Sequence, residues 1–297
     1  MKWMVNFASL AAKILPVRMK TWLYRSPKIA NKIRTILNSA SPIGLTEMEI
    51  AGGTLRGYQI YLDMQSEKDY WLGTYEIDLQ AAFRQFCKSG MVVYDIGANI
   101  GYISLIAAKL VGEGGQVIAF EPLPANCERF RKNIALNRLQ AIISLQQAAV
   151  IDRPGKITFM VHRSGAMGKA QGSLGRDEQY MDQFKVNAIG LDDFIFEKDN
   201  PRPDLIKMDI EGGEALAVDG MQRTLHEVRP IILVEIHSHA ALEKVWHAFH
   251  SAGYQIAGME KGFPLIQKIE DMGEKTYAIA TPVNKKAGRD ETSINPK

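Results

Sequence analysis

From Met91 to Pro122 the chain reads MVVYDIGANIGYISLIAAKLVGEGGQVIAFEP, and the order of patterns in this stretch decides the fold. A short apolar run, Met91 to Tyr94, ends on Asp95. Gly97 and Gly101 then open an apolar segment, Tyr102 to Val111, whose length and composition predict a helix. A second apolar run, Gln116 to Phe120, stops on Glu121 and is followed by Pro122, which blocks a helix at that point. The pattern is strand, glycine turn, helix, strand. Two parallel strands thereby each deliver a carboxylate at their C-terminal edge, Asp95 and Glu121.

In open α/β sheets ligands sit outside the carboxyl ends of the strands, where the first turn lets backbone approach closely. Gly97 and Gly101 remove side chains there. The turn residues Gly97, Ala98, Asn99, Gly101 and Tyr102 are therefore candidate cofactor contacts. Glu121, with Pro122 beside it, ends the second strand with a carboxylate suited to the two hydroxyls of a ribose. A dinucleotide fold uses G-x-G-x-x-G to seat a pyrophosphate on a helix N-terminus, whereas this chain has D-x-G-x-x-x-G. Asp95 is expected to face the place where that pyrophosphate would lie. Repulsion disfavours NAD and an NAD-dependent oxidoreductase, and the acidic residue favours a cofactor with a positive end, as S-adenosylmethionine has. A non-catalytic binding module on the same Rossmann-like fold is the other alternative.

The runs VVYDIGANIGYISL, VIAFEPLPANCERFRKNIALN and LIKMDIEGGEALAVDGMQRTLHEVRPIILVEIH resemble the FkbM family of S-adenosylmethionine-dependent methyltransferases, in the family's order and spacing, over roughly Tyr58 to Ala280. The resemblance implies a class I methyltransferase sheet, mostly parallel and seven-stranded with helices on both faces. It implies O-methylation of a small-molecule or glycan hydroxyl, on a sugar, glycolipid or polyketide-type metabolite. It also implies that Ala149, at the third-strand edge, borders the adenine. Ser173 falls in a motif near the active site, although the family's paired serines are reduced here to Gly172-Ser173. Glu76, after the aromatic segment Tyr70 to Tyr75, is a candidate to point into the cofactor mouth; the alternative is that Tyr70 and Trp71 cap the sheet edge.

At 297 residues, 46% hydrophobic and 23% charged, the composition is that of a globular protein. Cys87 and Cys127 have no metal-type spacing and suit a reducing, cytoplasmic setting. Overall charge is +3, but the first 46 residues carry eight bases and no acid, so the rest carries −5. A mildly acidic body argues against a nucleic-acid substrate. The expected domains are a basic helical arm (1–44), a β-hairpin and linker (45–90), the methyltransferase domain (91–283) and a polar tail (284–297). In the arm, Trp3, Phe7, Leu10 and Ile14 recur at helical spacing until Pro16. That pattern suits a helix packed on the domain or on a second subunit, peripheral contact with an anionic membrane, or a cleaved signal.

Three further strands are expected, Ala141 to Leu145, Asp204 to Met208 and Pro230 to Val234. An inserted strand pair, Lys156 to Val161 and Lys185 to Gly190, flanks a polar loop. Asp192 is expected to cap a short helix. The last helix spans Ala240 to Ala252, and late strands run Tyr254 to Met259 and Lys275 to Ala280. Asp209, Glu211, Glu235 and His237 converge at adjacent strand ends, each pair on one side of an extended chain. Methyl transfer to a hydroxyl needs the proton removed. His237 or Glu211 serves as a general base, His237 because its ordinary pKa lies near neutrality; alternatively, Asp209, Glu235 and His237 hold a divalent cation, as in catechol-type O-methyltransferases.

Overall fold

The computed structural model describes residues 43–162, 168–174, 180–273 and 275–283. The basic arm and the polar tail lie outside them, as does most of the polar loop. The described chain begins with an antiparallel pair, β1 (Leu45–Glu49) and β2 (Gln59–Asp63), followed by helices α1 (Lys68–Leu72) and α2 (Ile77–Phe86). The segment around Tyr70 is thus helical as far as Leu72. β3 (Val92–Ile96), α3 (Tyr102–Val111), β4 (Gln116–Phe120), α4 (Pro124–Leu136) and β5 (Ile143–Gln146) realise the strand–turn–helix pattern twice.

The chain then leaves the main sheet. β6 (Ala149–Val150), β7 (Gly155–His162), β8 (Gly168–Ala170) and β9 (Tyr180–Ile189) form a separate four-stranded sheet in the order β6-β9-β7-β8. The expected strand pair is there, with two short strands added at its edges. β10 (Leu205–Met208), α5 (Glu214–Asp219), β11 (Ile231–Ile236), α6 (His239–Ser251), β12 (Tyr254–Gly258), β13 (Leu265–Ile266) and β14 (Thr276–Pro282) complete the domain.

The main sheet has the order β13-β12-β14-β11-β10-β3-β4-β5. β5, β4, β3, β10 and β11 are parallel neighbours, and β14 runs antiparallel between β11 and β12. It is the sheet expected from sequence with an eighth strand, the two-residue β13, added at one edge. Because side chains alternate along a strand, Val93, Val117, Leu205 and Leu233 enter the core under α2, α3 and α4. Tyr94, Ile118, Ile206 and Val234 enter the opposite core under α5 and α6. Burial on both faces explains why these strands read as continuous apolar runs.

Asp192 departs from expectation. Its carboxylate accepts from the N–H groups of Arg223 and Thr224, both at 2.8 Å, and from the Thr224 hydroxyl at 2.7 Å. It caps a turn distant in sequence and leaves its own helix uncapped.

The two glycines of the first turn are required by protein packing. Gly97 has φ 79°, and a Cβ there would stand 1.9 Å from the Asp209 carbonyl oxygen; at Gly101, φ 87°, it would meet the Phe130 ring at 2.1 Å. Gly97→Ala should accordingly destabilise the fold by about 2 kcal/mol or more. Gly114→Ala, with nothing within 4 Å of the new methyl group, should be close to neutral. Urea unfolding of the two variants beside the parent chain checks the contrast.

Candidate active site

A cleft opens at the carboxyl ends of β3, β4 and β10. Gly97, Ala98, Asn99, Tyr102, Glu121, Pro122 and Ala149 line it. Gly101 does not; it supports the cleft from behind by letting α4 approach. Asp95 does not line it either. This residue is fully buried, accepts from the Ser104 hydroxyl at 2.5 Å and lies 3.4 Å from the Lys207 ammonium. The expectation that Asp95 faces a cationic ligand group is therefore corrected: β3 and β10 are in register at Asp95 and Lys207, so a buried lysine takes up that charge.

Glu121 is only 5% exposed. One carboxylate oxygen accepts from Asn99 N–H at 2.9 Å, the other from Leu123 N–H at 2.9 Å and from the Asn126 amide at 3.3 Å. Burial pushes its carboxyl up to about 7 against those hydrogen bonds. The carboxylate is held rigidly at the cleft wall. A ligand hydroxyl can donate to lone pairs that remain, so the residues present fit the ribose of an adenosyl group.

The four carboxyl and imidazole candidates do come together. His237 is buried with its Nδ1 2.9 Å from Glu214 Oε1; its Nε2 is 3.1 Å from Glu235, 3.6 Å from Asp209 and 3.7 Å from Glu211. Burial alone would lower the imidazole pKa. Hydrogen bonds to Glu214 and Glu235 and the surrounding negative charge outweigh it and lift the value to about 10. His237 is thus a cation near neutral pH and has no free lone pair with which to take a proton. Its reading as the general base gives way to that of a charged clamp.

Asp209 behaves differently. It lines the cleft with 20% of its side chain exposed. Burial raises its carboxyl to about 7, opposed by Lys207 3.8 Å away and assisted by the nearby charges of Glu235 and Glu76. Glu235 is held below the usual carboxylate range, where hydrogen bonds from His237 and Lys275 overcome burial. Glu211 also lines the cleft, at the strained φ of 52° beside Gly212 at 91°. Two sets of three side chains, Asp209–Glu211–His237 and Glu76–Asp209–Glu235, bring donor atoms within 4.8 Å of one another. Ser173 lies next to this turn, because the N–H of Leu174 donates to the Gly212 carbonyl at 2.9 Å.

Three members of the network escaped sequence reasoning, Lys207, Glu214 and Lys275, the last paired with Glu235. Lys207 sits in the apolar run LIKM at the same parity as Asp209, and that parity was the available signal. Glu214, fully buried, accepts from the N–H groups of Ile210 and Gly212 besides contacting His237. Nothing in its local sequence distinguishes it from a helix-capping acid.

The methyltransferase FkbM domain matches residues 95–256 of this chain. The chain belongs to the FkbM methyltransferase family. With that family it is an S-adenosylmethionine-dependent methyltransferase. It is 25% identical over 191 residues to the hexuronic acid methyltransferase AglP of Haloferax volcanii, covering 61% of this chain and 72% of the relative. It is 30% identical over 157 residues to the 2-O-methyltransferase NoeI of Sinorhizobium fredii, covering 48% of this chain and 62% of that relative, which is less than two thirds of its length. A solved structure of the methyltransferase FkbM from Methylobacillus flagellatus aligns with a TM-score of 0.44 at 14% identity, over 73% of this chain and 53% of that one. Among the described residues of this FkbM-family chain, no helix is long and apolar enough to cross a membrane.

The His237 cation makes a testable contribution to stability. A group whose folded pKa is raised stabilises fully below its unfolded value, near 6.5, and loses that contribution as pH rises through the folded value. Stability attributable to His237 should therefore decline between pH 6.5 and about 10. His237→Gln, which leaves Glu214 buried without its cation, should cost roughly 3 kcal/mol at pH 6 and erase that part of the pH dependence. Urea midpoints measured at pH 6, 8 and 10 for both chains read this directly.

Proposed function

We propose that this chain transfers a methyl group from S-adenosylmethionine to a hydroxyl of a sugar, glycolipid or polyketide-type metabolite, with Asp209 as the general base. The observation that carries the reading is that one cleft holds both Glu121 and Asp209, a ribose acceptor and a carboxylate whose pKa is lifted toward neutrality. The names of the relatives, a hexuronic acid methyltransferase and a 2-O-methyltransferase, support a hydroxylated acceptor.

When bound, S-adenosylmethionine supplies a sulfonium-activated methyl group. The chain's own residues do the rest. Gly97 and Asn99 shape the turn over which the cofactor lies, and Glu121 accepts from the ribose hydroxyls. Asp209 faces the acceptor hydroxyl and takes its proton as the oxygen attacks, so that no free alkoxide has to form in water. A base with a pKa near the working pH balances availability against strength, and such catalysis contributes on the order of 10² to 10⁴ in rate. Lys207 keeps Asp209 in place, while His237 and Lys275 keep Glu235 ionised beside it. Three cations, Lys207, His237 and Lys275, already offset much of the cluster's negative charge, which favours proton removal by Asp209 over removal through a divalent cation.

Calorimetric titration with S-adenosylhomocysteine should show binding that Glu121→Ala weakens about tenfold or more. Asp209→Asn should leave that affinity within about threefold and lower kcat by roughly 10² to 10⁴. Because Asp209 acts deprotonated, kcat/KM should climb as pH passes about 7 and level off above it. Activity lost to a chelator and restored by magnesium or manganese would instead assign proton removal to a metal-bound hydroxyl.

A further inference from the structure

A second cleft, about 680 Å³, lies on the same edge of the main sheet, between the start of α2, the end of β12 and the start of β14. It adjoins the cofactor cleft. Tyr75 lines the first and the next residue, Glu76, lines the second. Carboxylate oxygens of Asp209, from the first cleft, and of Glu76, from the second, lie within 4.8 Å of each other and of Glu235. The two clefts are therefore separated by a wall in which the carboxyl groups of Glu76 and Asp209 are neighbours, with Asp209 lining only the first.

The second cleft has a distinctive chemistry. Its wall carries Glu76, Asp78, Glu260 and Asp271, and one cation, Lys275, which is already ion-paired with Glu235. Lys261 and Lys268 are exposed nearby but do not line it. Two of the large apolar side chains exposed among the described residues, Leu265 at 55% and Tyr277 at 38%, also belong to this wall. Carboxylates only accept hydrogen bonds, so they match a ligand rich in hydroxyl or ammonium donors. A tyrosine ring with an apolar neighbour suits the C–H face of a saturated ring.

We propose that this cleft is the acceptor site and that its lining selects neutral or amino-bearing polyhydroxyl rings, such as hexosides and aminohexosides, over acceptors that carry a carboxylate. The proposal rests on the methyl-transfer reading above and names its substrate class. An acceptor placed here lies beside Glu76, whose carboxylate oxygen is within 4.8 Å of one of Asp209. A carboxylate on the ring would face Asp78, Glu260 and Asp271, while the one cation among the described lining residues, Lys275, is already paired, and each like-charge pair is repulsive even through water.

The test uses the full chain saturated with S-adenosylhomocysteine and three probes that share one hexose ring and differ in charge: neutral methyl α-glucoside, methyl α-glucosaminide with an ammonium at C2, and methyl α-glucuronide with a carboxylate at C6. Binding is read by ligand-detected NMR and calorimetry. The glucosaminide should bind at least about tenfold more tightly than the glucuronide, with the glucoside between them. Asp78→Asn combined with Asp271→Asn, both exposed positions, should shrink the difference to about threefold or less. High salt should shrink it too, because exposed charges are screened. Glucuronide binding as tight as that of the glucosaminide overturns the proposal. So does a charge preference that the double variant leaves unchanged, or failure of all three sugars to bind while S-adenosylhomocysteine does. Failure of S-adenosylhomocysteine itself to bind would instead reject the methyl-transfer reading.

Discussion

A single ammonium buried in the parallel sheet organises the site. Lys207, 4% exposed, stands on β10 in register with Asp95 of β3. It lies 3.4 Å from Asp95 and 3.8 Å from Asp209, and it donates to the Gly97 carbonyl at 2.9 Å. An unpaired charge at this depth would be neutralised or the strand displaced. Burial does oppose the charge, but Asp95, Asp209 and Glu76 together raise the pKa of Lys207 above its ordinary value. The lysine thus stays charged and ties the glycine turn after β3 to the turn after β10. These are two of the loops that line the first cleft.

From that constraint the rest of the cluster follows by parity. Side chains two apart in a strand share a face. Asp95, Lys207 and Glu235 point to the same side of the sheet as Val93, Leu205 and Leu233, toward the core under α2 and α3. Asp209 and His237 continue the two rows past the strand ends. The cluster is consequently a line of alternating charge laid across three strands. Within it the environment separates two carboxylates: Glu235, hydrogen-bonded by His237 and Lys275, is driven down, and Asp209, buried with less compensation, is driven up. Such divergence between neighbouring acids is how one site obtains both a fixed charge and a proton acceptor.

Three of the seven described non-glycine residues with positive φ lie around the same edge. Asn99, Glu76 and Glu211 adopt left-handed φ values of 51°, 44° and 52° without being glycines. Strain of this kind persists only where surrounding contacts hold it. Asn99 N–H donates to Glu121, and the turn carrying Glu211 is pinned by Glu214, which accepts from Gly212 N–H. Glu76 ends the aromatic segment that divides the two clefts, with Tyr75 on one side and itself on the other. The loops are therefore shaped by the same carboxylates that define the chemistry.

The sequence by itself determined the sheet, the glycine turn, the placement of Glu121 and the meeting of Asp209, Glu211, Glu235 and His237, because each depends on local period and on which end of a strand a residue occupies. The tertiary structure decided what those groups are. Asp95 looked like a ligand-facing acid until the β3–β10 register set Lys207 against it, and His237 looked like a base until Glu214 and Glu235 enclosed it. Gly101 looked like a ligand contact until the Phe130 ring was found where its Cβ would stand. Asp192 capped a turn 31 residues away. Charge state and burial are properties of neighbours distant in the chain, and no local pattern encodes them. The pairing of two clefts on one sheet edge has the same origin, since residues 76, 209, 235 and 275 become adjacent only when the sheet closes.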